Sequence, residues 1–545
     1  MLNQFNLTEE QAKKFDNISL KNKSKIDKLL EEIFLNTNKN PKWILSPIFG
    51  RDYFQSDLLR DLNFLCLADY YIKKKKYKKI RVRNHILKKI IQQRYQNIQI
   101  ISNFSLTNNF SNFFKLILSF FKISIYSILM IFCKEEGRVK NYKNKNIILI
   151  ETFFSKNLYN KKYKDRYHKE IFLKLPDKIK KKSYFFPINL SIFYIRKYLK
   201  CIRNEKIKFI HPLDFLKLKD YIDSIFLLAK LGSIPKKKIS FENFEVNRII
   251  KYHIFFSNFN FSTFIAGLNY FFLKRLKEKD FNIEIILDWY ENQIIDKGLC
   301  LGKNHFTPNS VLKGHMGYIN DFKKIYYYTP TILEKKQKAL PDEILLVSKG
   351  IYKKFYKKIK YLNFKLVPAI RNKMIFNLQK KEPQNLKTNV LIICSANTEE
   401  NNFIFSLISE IYTKIDFQKF NIVIKLHPNT KINSKLKNKK KLIITNNKFY
   451  SLLSNSDIVI SGGTTATIEA KILNKKIILI GNNNGITLNP LFEETNKLEV
   501  CYSANNLLNY LTKFSRKRDK TKINRKLQNF YFIKFSKKYF KNFYN

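Results

Sequence analysis

His427 ends the short apolar run Phe420-Asn-Ile-Val-Ile-Lys-Leu426 and is followed by Pro428. Proline forces the chain out of regular structure, so the imidazole is held at a loop mouth. There it can donate to a phosphate oxygen, and can be cationic when it does so. A second run, Asp457-Ile-Val-Ile-Ser461, stops at Gly462-Gly463 and leads into Thr464-Thr465-Ala-Thr-Ile-Glu469. Gly462 and Gly463 allow close backbone approach. Thr464 or Thr465 can cap the helix that starts there and bond a phosphate, while the helix aims its first N–H groups at an anion. Glu469, about one turn inward, is placed for a ribose hydroxyl. Lys425, His427, Pro428, Ser461, Gly462, Gly463, Thr464, Thr465 and Glu469 therefore read as a nucleotide-phosphate site. The plainer alternatives are a strand-end histidine satisfying local backbone and an ordinary capped helix with a solvated glutamate.

Such residues work only if strands deliver them to one edge. In an open α/β sheet, ligands bind beyond the carboxyl ends of the strands. Strand-like runs alternate with helical stretches along the chain: Lys79-Ile-Arg-Val82, Asn146-Ile-Ile-Leu-Ile-Glu151, Tyr184-Phe-Phe-Pro187, Phe281 to Asp288, Ser310 to Gly314, Glu343 to Ser348, Asn389 to Cys394 and Lys476 to Gly481. Trp43-Ile-Leu-Ser-Pro47 also reads as a strand, and Trp289 to Gly298 as a helix. This alternation predicts an α/β fold with mainly parallel sheets. A boundary is expected near 370–388, where the stretch 380–387 is polar and contains a proline. The expected organisation is an N-terminal helical extension (1–40), a Rossmann-like domain (41–375) with a helical or interfacial insertion near 110–135, a second Rossmann-like domain (388–505) and a basic helical tail (506–545). Two doubly wound domains facing a cleft would hold a nucleotide on one side and a second substrate on the other.

The chain has 545 residues, too many for one ordinary core, and is 45% hydrophobic, which excludes general disorder. Its 103 basic and 43 acidic residues give a formal net charge of +60. The lysines are spread throughout and accompany an excess of Asn, Ile and Phe, as AT-rich codons would produce. No RNP motif, zinc finger or Arg-rich reading helix is visible, so nucleic acid is not expected as a partner. A basic surface still favours anionic membranes and anionic sugars. The six cysteines form no CxxC pair and most sit in apolar contexts, as thiols of a reducing compartment do. Met1 to Glu10 is polar and unlike a signal peptide. Phe113 to Cys133 is apolar but carries Lys115 and Lys122, and its uninterrupted run is too short for a span. An in-plane interfacial helix and a buried core helix both fit it.

Lys425-Leu-His-Pro428 followed by Ser456-Asp-Ile-Val-Ile-Ser-Gly-Gly-Thr-Thr-Ala-Thr-Ile-Glu-Ala470 resembles the C-terminal half of GT-B glycosyltransferases that build bacterial surface carbohydrates. It is especially similar to those with a His-Pro and a Ser/Thr motif: sialyltransferases, polysialyltransferases, Kdo transferases and CDP-glycerol glycerophosphotransferases. The stretches Trp43 to Pro47 with Arg51-Asp52, Asp288 to Gln293, Gly314-His-Met-Gly317 and Pro341-Asp342 carry a more general likeness in the first half. None of these stretches carries the Asp/Glu-Asp/Glu-Gly base motif of many bacterial sialyltransferases. The resemblance implies a cytoplasmic glycosyltransferase, peripheral on the inner face of the membrane. It would move a sugar from a nucleotide donor, such as a CMP-linked nonulosonate or Kdo, to a glycan or glycolipid acceptor of capsule or lipopolysaccharide type. His427 and Thr464/Thr465 would then hold the donor phosphate, with Glu469 near the nucleotide.

Inverting transfer needs a group that takes the acceptor proton. Glu291 is the first candidate, since it follows a strand and has aromatic neighbours that would raise its pKa by burial; a helix-dipole role is the alternative. Glu151, at another strand end, is the reserve. His315, between Gly314 and Gly317, is placed to contact donor or acceptor or to cap a turn. Arg51 can bind an anionic acceptor or donor carboxylate. No Asp-x-Asp or His/Cys cluster stands at a strand end, so neither metal nor cofactor is expected beyond the nucleotide-sugar substrate. Two other enzymes fit the pattern, a UDP-N-acetylglucosamine 2-epimerase and a CDP-glycerol polyol-phosphate transferase. A non-catalytic basic scaffold for membrane or nucleic acid is the third alternative.

Overall fold

In this computed structural model the described residues are 1–102, 106–134, 146–154, 165, 167–189, 207–231, 237–378, 387–427, 430, 434–445, 448–492, 498–514 and 523–545. Two six-stranded sheets organise them. The first runs, edge to edge, Asn363–Leu366, Glu343–Leu346, Val311–Met316, Asn282–Trp289, Asn146–Phe154 and Ser183–Asn189. The second runs Ile443–Thr445, Phe420–Lys425, Thr388–Ile393, Ile458–Ser461, Lys476–Ile480 and Glu499–Cys501. Every pairing in both is parallel. Parallel strands covered on both faces need continuous apolar runs. Ile147 to Ile150, Val390 to Ile393, Ile458 to Ile460 and Ile477 to Ile480 supply them and are buried. The fold is α/β, with two Rossmann-like doubly wound domains.

Strand order reverses once in each sheet. The chain moves outward from Asn146–Phe154 to one side and resumes at Asn282–Trp289 on the other. It does the same around Thr388–Ile393, with Phe420–Lys425 on one side and Ile458–Ser461 on the other. Helices leaving the two sides in opposite directions open a crevice at each reversal.

The first 102 residues add a three-stranded parallel sheet, Leu2–Asn3, Lys79–Val82 and Gln99–Ser102, and the 27-residue helix Glu9–Leu35. That helix starts in a capping box between Thr8 and Gln11. The strand expected at Trp43-Ile-Leu is instead a 3-10 helix, Pro41–Leu45. Pro41 sits at its first turn, and the Asn40 side chain accepts from the Lys42 N–H; a proline start with an Asn cap favours a turn over a strand. The helix expected from Trp289 begins later, at Ile294, because the strand runs on to Trp289 and Gln293 forms the cap.

Arg51 lies beneath this assembly. Its guanidinium donates to Glu334 (3.0 and 3.1 Å), Asp27 (3.2 Å) and the carbonyls of Tyr326 (3.1 Å) and Thr329 (2.9 Å). Lys297 Nζ adds a 2.7 Å pair to Glu334. Arg51 and Glu334 are each only 2% exposed. The expectation that Arg51 meets an acceptor therefore gives way to a structural role, because all of these partners are internal and leave it no surface.

Two sets of contacts among the described residues help to join the domains. In the loop after Lys476–Ile480, the Thr487 N–H donates to Asp16 and the Asn489 N–H to Asp321, both at 2.9 Å. The last residues then return to the first sheet. Ile533 N–H donates to the Val347 carbonyl and Ala369 N–H to that of Ile533, and Asn542 Nδ2 donates to the Leu366 carbonyl. Residues 525–545, expected as a basic tail, thus extend the packing of the first domain; their aromatic side chains Tyr531, Phe532, Phe540 and Phe543 are buried.

Burial works to raise the Glu334 carboxyl, but Arg51 and Lys297 outweigh it and hold it at about 2. The stability this contributes is complete above the ordinary glutamate value and is lost as pH falls from 4.5 towards 2. Glu334→Gln is expected to lower stability at pH 7 by about 3–5 kcal/mol, the cost of stripping a partner from buried cations. The gap to the parent protein should narrow below pH 4.5 in chemical denaturation; a constant gap would show that the ion pairs contribute nothing.

Candidate functional site

The reversal in the second sheet carries the two loops singled out by sequence. His427 follows Phe420–Lys425, and Gly462 follows Ile458–Ser461. One strand, Thr388–Ile393, lies between them, which at the usual spacing sets the two loops about 10 Å apart along one edge. The loop after the middle strand ties them together. The His427 backbone N–H approaches the Cys394 thiol, and Thr430 donates through N–H to the His427 carbonyl (2.8 Å) and through Oγ1 to the Ser395 carbonyl (3.1 Å). Lys425 Nζ donates to the Leu426 carbonyl at 3.3 Å. Pro428 lies outside the described residues.

The Gly-Gly turn is shaped as an anion cradle, and it holds an anion of the protein's own. Gly463 N–H donates to Glu400 Oε1 at 2.8 Å. A Cβ on Gly462 would stand 2.0 Å from the Glu400 carboxylate, and one on Gly463 would stand 2.3 Å from Leu488 Cβ. Gly463 is therefore required by close approach, whereas at Gly462 the flexible end of Glu400 would have to move. Burial pushes the Glu400 carboxyl above its ordinary value. Ser461 Oγ is buried against Thr467 Oγ1 at 2.8 Å. Thr464 is the N-cap of the helix Thr465–Ile472, and its half-buried side chain makes no capping hydrogen bond. Thr465 Oγ1 donates to the Ile319 carbonyl of the first domain at 2.5 Å. Glu469 is buried and accepts from Asn372 Nδ2 and Tyr450 Oη, both at 2.9 Å. These bonds turn Glu469 toward the segment joining the domains, where sequence had placed it toward a ribose.

On the first sheet, the reversal gathers carboxyl groups. Glu151 and Asp288 lie in the carboxyl-terminal halves of the two strands that flank it, and both are fully buried. Glu151 Oε2 accepts the Trp289 N–H at 2.9 Å. Burial and the adjacent Asp288 carboxylate push Glu151 well above the ordinary range, and burial pushes Asp288 up to about 6. Asp296 is also raised by burial and accepts the N–H groups of Glu291 (2.9 Å) and Gln293 (2.8 Å). It thereby fixes the loop that carries Glu291. Glu291 itself is partly exposed; Oε1 accepts from Trp289 Nε1 (3.0 Å) and Oε2 from Gln293 Nε2 (3.1 Å). Burial raises its carboxyl above the ordinary glutamate value. A solvent-reachable carboxylate, oriented at both oxygens and made more basic, is suited to accept a proton. Glu151, the reserve candidate, is sealed beneath it.

His315 is 2% exposed and meets His168, which is wholly buried, with Nδ1 3.3 Å from His168 Nε2. His168 Nδ1 lies 2.8 Å from the Glu151 carbonyl, so it must carry the proton there. His168 Nε2 then accepts from His315 Nδ1, which leaves the buried His315 Nε2 as a bare acceptor. Burial drives both imidazoles below the ordinary histidine value. This neutral chain packs against Trp289, 5.2 Å from the His315 ring, and fixes the wall behind Glu291.

Two residues that sequence reading passed over join the halves. Tyr318, half-buried, hydrogen-bonds Thr465 and lies within electrostatic reach of Glu291, Arg371 and Glu400. Arg371 is exposed, and its guanidinium lies 5.2 Å from the Trp289 ring centroid, 5.6 Å from Tyr167 and 6.0 Å from Tyr318. It also acts on Glu291 and Glu469. Arg371 lies in the stretch that reads as an interdomain boundary; its one signal was an arginine in a chain whose bases are mostly lysine. An exposed guanidinium stacked on aromatic rings keeps its charge available at the surface.

Neither a family model nor a curated relative matches the chain. Among solved structures, it is similar to a UDP-GlcNAc 2-epimerase from Neisseria meningitidis bound to UDP-GlcNAc, at 13% identity and a TM-score of 0.40, over 67% of this chain and 91% of that one. For S. aureus MnaA with UDP the figures are 10%, 0.39, 67% and 87%. For Acinetobacter baumannii MurG they are 7%, 0.34, 68% and 90%.

Because burial favours protonated Asp288 in the folded state, its contribution to stability is present at low pH and is lost as pH rises from 3.8 to about 6. Asp288→Asn, which cannot ionise, is expected to flatten the fall in stability across that interval in urea titrations. An unchanged slope would show that Asp288 ionises as readily folded as unfolded.

Proposed function

We propose that the protein is a glycosyltransferase of GT-B type that moves a sugar from a nucleotide donor to a glycan or glycolipid acceptor. The observation that carries this reading is the meeting of the two strand-order reversals. Thr465 of the Gly-Gly-Thr turn is bonded to Ile319, one residue from Tyr318, which lies within electrostatic reach of Glu291. The His427 and Thr464 loops hold the donor phosphate, with Arg371 as the cation facing them. Glu291 takes the proton of an acceptor hydroxyl; that oxygen bonds to the anomeric carbon, and the carbon–oxygen bond to the nucleotide breaks with its electron pair leaving on phosphate. Positive helix-end dipoles and Arg371 stabilise that leaving charge, with no metal required. Attack opposite the leaving group inverts the anomeric centre. The motif resemblance favours a cytidine-nucleotide donor, of nonulosonate or Kdo type, and a bacterial surface glycan as acceptor.

Thermal stabilisation by CMP, CDP, UMP and UDP tests the donor site. A nucleotide at about a hundred times its dissociation constant should add roughly 2.7 kcal/mol. His427→Ala and Arg371→Ala should each reduce that gain. No gain with any nucleotide would remove the reading.

Glu291→Gln is expected to keep the nucleotide-induced shift and lose about 100- to 10,000-fold in turnover, measured with radiolabelled donors. The acid limb of kcat/KM in the parent should lie above the ordinary glutamate value of 4.5, since burial raises this carboxyl. Full turnover in the glutamine variant would move the base elsewhere. Conversion of UDP-N-acetylglucosamine without an acceptor would replace transfer with epimerisation, and transfer of a polyol phosphate from CDP-glycerol would replace the sugar donor.

A further inference from the structure

The helix Leu106–Phe132 has two unlike faces. One is docked: Ile123, Tyr126, Ser127 and Met130 are buried, and Tyr126 packs on Phe261 and Phe264 at 5.5 and 5.8 Å. Ser119 Oγ donates to the Phe259 carbonyl at 2.6 Å, and Phe120 packs on Phe259 at 4.9 Å. The other face is apolar and open. Phe114, Leu118, Phe121, Ile125 and Ile128 are each 50–55% exposed and Phe132 is 80% exposed. Their spacing of three, four or seven residues places them along one side of the helix. Large apolar side chains in a contiguous row mark an interaction surface. The adjoining helices Leu218–Ile225 and Asn247–Ser257 continue the pattern with exposed Leu218, Ile222 and Phe255.

Charge selects the occupant. Lys115 and Lys122 stand exposed on this helix, Lys217 and Lys219 on the next and Lys251 on the third, in a chain of net charge +60. Apolar rows edged by lysines match a bilayer interface, where acyl chains receive the former and anionic headgroups the latter. By length and composition Phe113–Phe132 is also sufficient to cross a membrane. Crossing would require the docked face to leave Phe261 and Phe264 and would carry Lys115 and Lys122 into hydrocarbon. We propose that this helix lies in the plane of an anionic lipid surface, with Phe114, Leu118, Phe121, Ile125, Ile128 and Phe132 inserted and the lysines on the headgroups. The inference stands apart from the catalytic reading, since no residue of the cleft enters it.

The test is co-sedimentation of the full chain with vesicles of phosphatidylglycerol and phosphatidylethanolamine, against vesicles of phosphatidylcholine alone. Binding should favour the anionic vesicles at least tenfold and weaken with salt. Phe121→Glu combined with Ile125→Glu, both at exposed positions, should cut binding at least tenfold with an unchanged melting temperature and nucleotide response. Lys115→Glu with Lys122→Glu, which leaves the apolar row intact, should abolish the preference for anionic lipid and serves if the first pair destabilises the fold. The proposal is overturned by equal binding in parent and variants, by absence of vesicle binding, by resistance of bound protein to alkaline carbonate, or by a dimer in solution that the glutamate pair dissolves.

Discussion

The hydroxyl of Thr465 on the carbonyl of Ile319 is a small bond with a large geometric consequence. Each sheet offers a crevice at its own strand-order reversal, with the Gly462-Gly463 turn and Glu400 at one and Glu291, Asp288 and Glu151 at the other. The bond holds the start of the Thr465–Ile472 helix against the loop that carries Tyr318. It has support on both flanks, from Asp16 and Asp321 on the backbone of the 487–489 loop and from the return of residues 525–545 onto the first sheet.

Buried charge is divided between two tasks in the first domain. Around Arg51, cations and carboxylates pair, and Glu334 stays ionised far below its ordinary value. Around Asp288, carboxyl groups crowd together without a basic side chain among their strongest influences, and burial raises all three above their ordinary values. The first arrangement fixes helices; the second fixes the loop of Glu291 through the N–H groups that Asp296 receives. Low dielectric strengthens both. The consequence for chemistry is a carboxylate whose base is rigid and whose oxygens remain within reach of the cleft.

At Gly462-Gly463 the turn presents the Gly463 N–H to Glu400. A buried N–H without a partner is costly, so this internal carboxylate satisfies the loop from within the protein.

Two doubly wound sheets, the reversal loops and the apolar strands were legible in the sequence, because period and strand-end glycines are local signals. The position of Glu291, two residues beyond the strand that ends at Trp289, was legible for the same reason. The 3-10 helix at Pro41–Leu45 was misread as a strand because Trp43-Ile-Leu is apolar in either state, and only the Asn40 cap and Pro41 tip the balance. Arg51 looked like a ligand because glycine precedes it, yet its partners lie from 24 to 283 residues away. Glu400, Tyr318 and Arg371 carry no local pattern at all. Their roles arise where separate segments meet, and the amino-acid sequence determined each element while only tertiary packing decided which elements meet. Contacts between distant residues depend on how whole faces are buried, and no spacing along the chain encodes that.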